Sequence, residues 1–383
     1  MGNANQMKKP VMYDAQSMSV EEFSKQYPVE RVVDEYEKEL LKELFLIRNP
    51  QYRFNPDYEA AFEAFKKEHC AGKTLREAGT WFYFPWNKTL IHFLPDAMHQ
   101  ELRTARNKFL ITKEEQEKFY NFKIGIGGLS VGSHAALTIA MMGGGKMMRI
   151  ADPDEISGTN LNRIRLDYSY VGTNKCEAVG QLIYQTNPYA ELEVHTEGIS
   201  VDGLEEFMTG LDVFVECMDH PELKIRARLM AKKLGIPVVM ATDNGDGIIF
   251  DIERYDLDPN LDLFNGVAGH LTLEEFQAFP PQELPKLATK IAGVNAVQAR
   301  MLHSVSEVGK SLYSWPQLGD AATLAGVATA YVIKRLANKL PLRTGKLEVN
   351  LDSIFDPDYN EAETVAKRDE ERKGYLRKIG FEV

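Results

Sequence analysis

The 383-residue chain carries 45 Lys and Arg against 56 Asp and Glu, a net charge of −11 at neutral pH, with 44% hydrophobic residues and three cysteines. That length can bury a large core and suits one elaborated α/β domain or roughly two to three smaller ones, while the acidic balance excludes a general electrostatic attraction to nucleic acid. The unpatterned Cys70, Cys176 and Cys217 supply neither a disulfide framework nor a Cys-x-x-Cys zinc site, so the expected setting is the reducing cytoplasm.

In chain order, Met1-Gly2-Asn3-Ala4-Asn5-Gln6 is polar and lacks an apolar signal core, and Gln6 stands where a myristoylation motif starting at Gly2 requires Ser or Thr. No apolar run reaches the roughly 18 residues that span a membrane, so no membrane partner is expected. From Val29 to Ile47 the spacing of Val32, Tyr36, Leu40, Leu41, Leu44 and Phe45 predicts a helix, and a second is expected from Pro56 to about Cys70. Thr80-Trp81-Phe82-Tyr83-Phe84 and the run from Thr89 to Leu94 read as a strand-like hairpin around Pro85-Trp86-Asn87, whose aromatics either close a core or form a recognition surface. Residues 1–100 therefore read as an N-terminal extension, mostly helical with an aromatic hairpin.

From Asn121 to Asp219 the pattern changes. The apolar run Phe122-Lys123-Ile124-Gly125-Ile126 opens into Gly127-Gly128-Leu129-Ser130-Val131-Gly132-Ser133 and continues as a helix-like segment from His134 to Met142. Strand, glycine-rich turn and helix in that order set exposed backbone N–H groups where a phosphate binds, which makes Gly127, Gly128, Ser130, Gly132 and Ser133 nucleotide-contact candidates. A second apolar run, Lys146 to Ala151, ends at Asp152 about 20 residues past the glycines, where a nucleotide fold sets a carboxylate against ribose hydroxyls. Asp154 is equally suited to capping the turn and to a functional role. Arg163 and Lys175 are cations downstream of the turn, which suit the triphosphate of ATP rather than a nicotinamide ring. A lysine at a helix start is disfavoured by the helix dipole unless an anion lies nearby. Asp212 to Asp219 is a buried-strand pattern ending in a carboxylate, so Asp219 is the metal candidate. Cys176 and Cys217 are expected to pack, and His134, His220 and His303 make no triad or metal spacing.

Jointly, the glycine turn, Asp152-Pro153-Asp154, Asn160-Leu161-Asn162-Arg163, Gly172-Thr173-Asn174-Lys175 and the strand-terminal Asp219 resemble the ThiF-type adenylyltransferases, which include the molybdopterin-synthase adenylyltransferase and the ubiquitin-activating enzymes. Leu102-Arg103-Thr104-Ala105-Arg106-Asn107 is similar to the family's Arg-x-x-Arg-Gln segment. Ser314-Trp315-Pro316-Gln317-Leu318-Gly319, the helix to Asn338 and the run from Gly345 to Asp352 resemble its closing helix and strand, so the likeness spans roughly Leu102 to Phe355. Two positions depart from the pattern: Ser130 replaces the last glycine of Gly-x-Gly-Gly-x-Gly, and Ile164 follows Asn-Leu-Asn-Arg where many members carry glutamine. The resemblance implies ATP and Mg2+ as cofactors and the adenylation of a carboxylate, the C-terminus of a small ubiquitin-like protein or peptide. It also implies ribose on Asp152, Asn160, Arg163 and Lys175 stabilising charge on the phosphates, Mg2+ on Asp219, and Arg106 serving the partner's ATP in a homodimer.

Gly235 to Ala241 and Asp246 to Tyr255 continue the alternation of strands and helices. The expected fold class is α/β, a Rossmann-like, mainly parallel sheet with helices on both faces, in an adenylation domain over 101–355 with a crossover segment at about 256–313. Within Asp256 to Pro285 only Thr272 to Ala278 reads as helical, with Thr272 capping through Glu275. No cysteine follows Cys217, so no thioester nucleophile is evident. Residues 356–383 form a charged tail, expected as a solvated docking helix. Two rival readings stand beside the adenylation reading. A nicotinamide-dependent oxidoreductase explains the glycines and Asp152 but leaves Asn160, Arg163, Lys175 and Asp219 without tasks. A non-catalytic nucleotide-binding subunit of a heteromeric activating enzyme is suggested by Ser130.

Overall fold

The apolar runs pair into two separate sheets, one of four strands and one of seven. The computed structural model describes residues 7–267, 269, 272–277, 280 and 284–382, so the expectations for Met1–Gln6, Ala278 and Val383 fall outside it. The chain divides into two units: the first runs to Tyr120 and takes in Ala140–Gly144 and Gln181–Ala190, and the second holds the remainder.

The first unit contains β1 (Val11–Tyr13), α1 (Val20–Ser24), β2 (Arg31–Val33), α2 (Lys42–Arg48), α3 (Tyr58–Cys70), β3 (Thr80–Phe84), β4 (Thr89–Phe93), α4 (Asp96–Arg103) and most of α5 (Lys113–Asn121). The order is β1-β3-β4-β2, with the expected β3–β4 hairpin at its centre. The single helix expected from Val29 to Ile47 is divided. β-branched Val32 and Val33 pair in parallel with Leu90 and Ile91 on the open edge of β4, and that pairing overrides the helical spacing. Helical backbone then starts as a π-helical turn over Tyr36–Leu41, opened by Asp34 and continuous with α2. The hairpin aromatics close a core: Trp81, Phe82, Tyr83 and Phe84 are all buried. His92 is sandwiched between Trp81 (centroids 4.1 Å apart, planes at 6°) and Tyr36 (3.9 Å, 13°). A buried imidazole thus fills a slot in an aromatic stack.

The second unit is built on β5 (Ile124–Gly127), β6 (Met147–Ala151), β7 (Glu191–His195), β8 (Val213–Glu216), β9 (Val238–Asn244), β10 (Gly247–Glu253) and β11 (Gly345–Asn350), in the order β11-β10-β9-β8-β5-β6-β7. The pairs among β5 to β9 are parallel, and β10 and β11 pair antiparallel. Only Gly245 and Asp246 separate β9 from β10, too little chain for a crossover, so the alternation stops there in a tight hairpin. The chain leaves β5 towards β6 and β7, then returns to the other side of β5 with β8 and β9. That reversal creates a crevice at the carboxyl ends of β5 and β8, where open α/β sheets receive ligands.

Around this sheet lie α6 (Val131–Met141), α7 (Lys175–Thr186), α8 (Leu204–Met208) and α9 (Pro221–Leu234), followed by α10 (Leu273–Gln277), α11 (Leu284–Ala292), α12 (Ala299–Glu307), α13 (Gly319–Ala337), α14 (Asp352–Phe355) and α15 (Ala362–Lys378). α10 starts with the expected cap, Thr272 and Glu275 each accepting the other's backbone N–H at 2.9 and 3.1 Å. In the tail, α15 is anchored by Leu376, 1% exposed, in a cluster with Ile249, Val297 and Leu302, and Tyr375 stacks on His303. Among the described residues no helix is long and apolar enough to cross a membrane.

α13 buries Ala321, Ala322, Ala325 and Ala330, and at Gly326 it meets the start of α6 at backbone distance: a Cβ there would lie 2.4 Å from His134 Cβ and 2.6 Å from its carbonyl carbon. Since the obstructing atoms are a Cβ and main-chain atoms, none of which a side-chain rotation can move, Gly326→Ala must push the helices apart. The expected loss is about 1–3 kcal/mol of unfolding free energy in urea titration; an unchanged midpoint would mean the contact is looser than described.

Candidate active site

Ends of adjacent strands meet around the glycine turn. The Gly128 N–H donates to the Ala151 carbonyl and the Cys217 N–H to the Gly127 carbonyl, each at 2.8 Å, so the turn is held between the ends of β6 and β8. Gly128 has φ +87°, and a Cβ there would lie 2.2 Å from the Cys217 carbonyl oxygen, so close backbone approach alone demands glycine. Gly127 ends β5, and Gly132 and Ser133 open α6, where Ser133 Oγ donates to the Ser130 carbonyl at 2.7 Å.

Asp152 follows β6 and is 4% exposed. Its carboxylate accepts the Leu129 N–H of the turn at 2.6 Å and the Asp154 N–H at 2.9 Å. Lys175, the first residue of α7, brings Nζ to 3.4 Å from Asp152 and 2.7 Å from Asp154. The anions that a lysine at a helix start calls for are therefore these two carboxylates. Burial pushes the Asp152 carboxyl above its usual range, against Lys175 and the two N–H groups, which favour the charged form. Asp154 does not cap the turn with its side chain; that task falls to Asp152, and Asp154 faces Lys175.

A second arm comes from the loop after Asp154. Asn160 Oδ1 accepts the Ser157 N–H at 3.0 Å in a capping box at the head of a 3-10 turn, Gly158–Asn162. Arg163 then donates from Nε to Ser130 Oγ at 3.1 Å and from Nη1 to Asn162 Oδ1 at 3.0 Å. The serine that departs from the glycine pattern thus supplies the acceptor that holds Arg163. Burial lowers the guanidinium's pKa, while the charges of Asp243, Asp219 and Tyr313 act in the opposite direction; an arginine stays protonated throughout. His134, buried in α6, donates from Nε2 to the Arg163 carbonyl, which can only accept, so its Nδ1 faces Thr323 Oγ1 at 3.5 Å as the acceptor. This histidine fastens the arginine's backbone.

The segment before α13 closes over the same loop. Tyr313 Oη donates to Thr159 Oγ1 at 2.8 Å and Asn162 Nδ2 to the Gln317 carbonyl at 2.7 Å. Gln317 Nε2 donates to Asp243 Oδ2 at 3.3 Å. Asp243, on β9 and 7% exposed, leaves Oδ1 without a hydrogen-bond partner among the described residues, and burial pushes its carboxyl up to about 6. The sequence reading passed over it, although an apolar run ending in a carboxylate, the pattern that selected Asp219, is present from Val238 to Asp243 as well.

Asp219 lies beyond β8 as an exposed carboxylate with no ion pair among the described residues, which also contain no cluster of three or more His, Cys, Asp or Glu able to hold a metal. The strand that carries it is braced from below. Glu216, fully buried, accepts the Met218 N–H at 2.9 Å and pairs with Lys224 at 2.9 Å and Arg228 at 2.9 Å; Arg228 also reaches Glu253 at 2.7 Å. Burial pushes Glu216 up, but the two cations outweigh it and hold the carboxyl below its usual range. Burial pushes the Cys217 thiol up to about 12 and Cys176 higher, so both are protonated at neutral pH. Arg106 belongs to the first unit, exposed in a 3-10 turn, Ala105–Asn107, with no ion pair among the described residues.

The profile of the ThiF family matches residues 104–302, more than half of the chain and all of this constellation except the segment before α13. The chain belongs to the ThiF family. It is 32% identical over 282 residues to the uncharacterized protein MT1398 of Mycobacterium tuberculosis, covering 74% of this chain and 39% of that protein. It is 31% identical over 142 residues to the adenylyltransferase and sulfurtransferase UBA4 of Candida albicans, 36% of this chain and 31% of the relative. The ThiF chain described here thus spans less than half the length of these relatives. Among solved structures, the tRNA N6-threonylcarbamoyladenosine dehydratase of E. coli shares 20% identity and a TM-score of 0.45, covering 64% of this chain and 97% of that one.

Removing Arg228 strips the buried Glu253 of its cation and leaves Glu216 with Lys224 alone. Arg228→Met should cost about 3–5 kcal/mol in urea unfolding at pH 8. Burial already raises the Glu253 carboxyl against the pull of Arg228, and losing that cation raises it further, so protonation relieves the penalty as pH falls and the loss should be smaller at pH 5. A loss independent of pH would show that lost packing, not stranded charge, dominates.

Proposed function

We infer that the chain binds Mg-ATP at the carboxyl edge of the parallel strands and adenylates a carboxylate, the C-terminus of a ubiquitin-like protein or a peptide. One observation carries this reading: both cations of the site are tied to the same glycine turn. Lys175 is held through Asp152 and the Leu129 N–H, and Arg163 directly by Ser130. Membership of the ThiF family and the adenylyltransferase named among the relatives support it. In the reaction a carboxylate oxygen attacks the α-phosphorus, an acyl–O–P bond forms, and the bond to the β-phosphate oxygen breaks with pyrophosphate leaving. Such transfer needs positioning and charge stabilisation more than side-chain acid–base work.

In this reading Asp152 orients the ribose, its carboxylate already fixed by two N–H groups, and Asn160, Arg163 and Lys175 stabilise charge on the phosphates. Asp219 would hold Mg2+, which neutralises phosphate charge when bound. A single hard carboxylate completed by phosphate oxygens is a usual Mg2+ arrangement, and Asp219 is free to serve. A nicotinamide cofactor would give Asp219 no Mg2+ to hold and would leave Asn160, Arg163 and Lys175 without the triphosphate charge that this reading assigns to them. The serine that suggested a non-catalytic subunit has a positive task, holding Arg163. Arg106 is assigned to the partner's site in a homodimer.

The decisive assay is substrate-dependent exchange of pyrophosphate into ATP, and its absence with a genuine carboxylate partner would sink the reading. Asp219→Ala should abolish exchange with an unchanged melt, because the side chain is exposed. Lys175→Ala should also abolish it but lose about 3 kcal/mol of stability, since Asp152 is left buried without its cation. If Arg106 acts in trans, mixing Arg106→Ala with Asp219→Ala subunits should restore part of the exchange, because a mixed dimer carries both lesions in one site and leaves the other whole. No recovery despite proven subunit exchange would confine Arg106 to its own chain.

A further inference from the structure

Asp243 has no task in the reaction above, yet its position is costly. It is 7% exposed, Oδ2 has Gln317 Nε2 at 3.3 Å, and Oδ1 has no hydrogen-bond partner among the described residues. A buried acceptor left unpaired is destabilising, more so when charged, and an apolar residue at that place would not incur the loss. The titratable and charged groups that face it are Asp320 at the head of α13, the Cys217 thiol at the end of β8, and Arg163 from the loop after Asp154. Only Arg163 is positive. Its guanidinium forms no ion pair with Asp243 among the described residues but is joined to it through Asn162 and Gln317: Arg163 Nη1 donates to Asn162 Oδ1 at 3.0 Å, Asn162 Nδ2 to the Gln317 carbonyl at 2.7 Å and Gln317 Nε2 to Asp243 Oδ2, while its other hydrogen bonds go to neutral oxygens of Ser130 and Thr159. Asp219 acts on Arg163 rather than on Asp243.

We propose that Asp243 is a positioning residue for the nucleotide site: its buried carboxylate holds the Arg163 side chain by charge while the site is empty, and the phosphate of an entering nucleotide competes with it for that guanidinium. The inference rests on Arg163 being a phosphate ligand. A carboxylate and a phosphate drawn to one cation repel each other, so phosphate binding tightens the hold of Asp243 on a proton, and protonation of Asp243 favours phosphate binding in return. Burial has already brought this carboxyl to about 6, so the added anion carries it towards neutral pH. Below the pKa of the free protein Asp243 is protonated in both states and affinity is flat and highest. Affinity then falls as pH rises through about 6, levelling off above the pKa of the complex. Each unit by which binding raises that pKa is worth about tenfold in affinity.

The test is calorimetric titration of the full chain with Mg-ATP between pH 5.5 and 8.5, in buffers of different ionisation heat, comparing wild type with Asp243→Asn. Titration of ATP itself is common to both proteins and cancels. Wild type should take up a fraction of a proton near pH 6.5 and bind about tenfold more weakly at pH 8.5 than at pH 5.5, beyond any change in the variant. Asp243→Asn, which keeps the shape and an acceptor for Gln317, should lose the proton uptake and bind more tightly than wild type at pH 8.5. Gln317→Leu gives a second readout. It removes the hydrogen bond that favours the carboxylate, so the falling limb should move to higher pH, a shift that a merely structural role would not produce. Equal pH dependence in wild type and Asp243→Asn, or weaker binding by the variant at every pH, overturns the inference alone. Absence of nucleotide binding by both folded proteins overturns the nucleotide reading and the inference with it.

Discussion

The carboxylate of Asp152 is the constraint on which the second unit's crevice depends. It stands at the end of β6, accepts an N–H from the turn after β5, accepts another from its own turn at Asp154, and meets the cation that opens α7. Three separate pieces of chain, the turn after β5, the end of β6 with its own turn, and the head of α7, are therefore referenced to two oxygen atoms. Burial raises the cost of keeping that carboxylate charged, and the N–H groups and Lys175 offset it, so the group is stable only when all of its partners are in place. Such mutual dependence fixes the glycine turn before any ligand arrives.

A second buried charge system stands behind the first. Glu216, Arg228 and Glu253 are all fully buried, and Glu216 also accepts the Met218 N–H, so the strand end that presents Asp219 is set by an ion pair under the sheet. Here apolar residues of similar volume would give equal or greater stability; what the charged set adds is a defined direction for the chain as it leaves β8. Arg163 is positioned by the same logic on the other arm, with Ser130 gripping its side chain and His134 its carbonyl.

Much of this was legible in the sequence, for identifiable reasons. Strand, glycine turn and helix announce themselves by period and composition, and Asp152, Asp154, Arg163 and Lys175 come at element ends and loops soon after the turn, so local reading reaches them. What local reading missed depends on pairing across the chain. Val32 has helical spacing but, with Val33, finds an open strand edge at β4. Gly247 to Glu253 reads as one more strand, and only the two-residue link from β9 makes it antiparallel. Asp243 acquires its meaning from Gln317, 74 residues later. Ser130 looked like a defect in a motif because its partner, Arg163, is 33 residues away. Lys175 was read as a cation that needs a nearby anion, but the carboxylates it meets, Asp152 and Asp154, stand 23 and 21 residues earlier.

The aromatic stack of the first unit has a consequence for how the molecule reports on itself. The chain has three tryptophans. Trp81 is buried face to face with His92, and Trp86 is half-buried against Phe84, both in the first unit, while Trp315 is 45% exposed in the segment that closes over Arg163. Indole emission follows the polarity around the ring, so the blue side of the spectrum belongs to one unit and the red side to the other. A single fluorescence scan therefore separates the melting of the four-stranded sheet from motion of the segment before α13, with no label added to the protein.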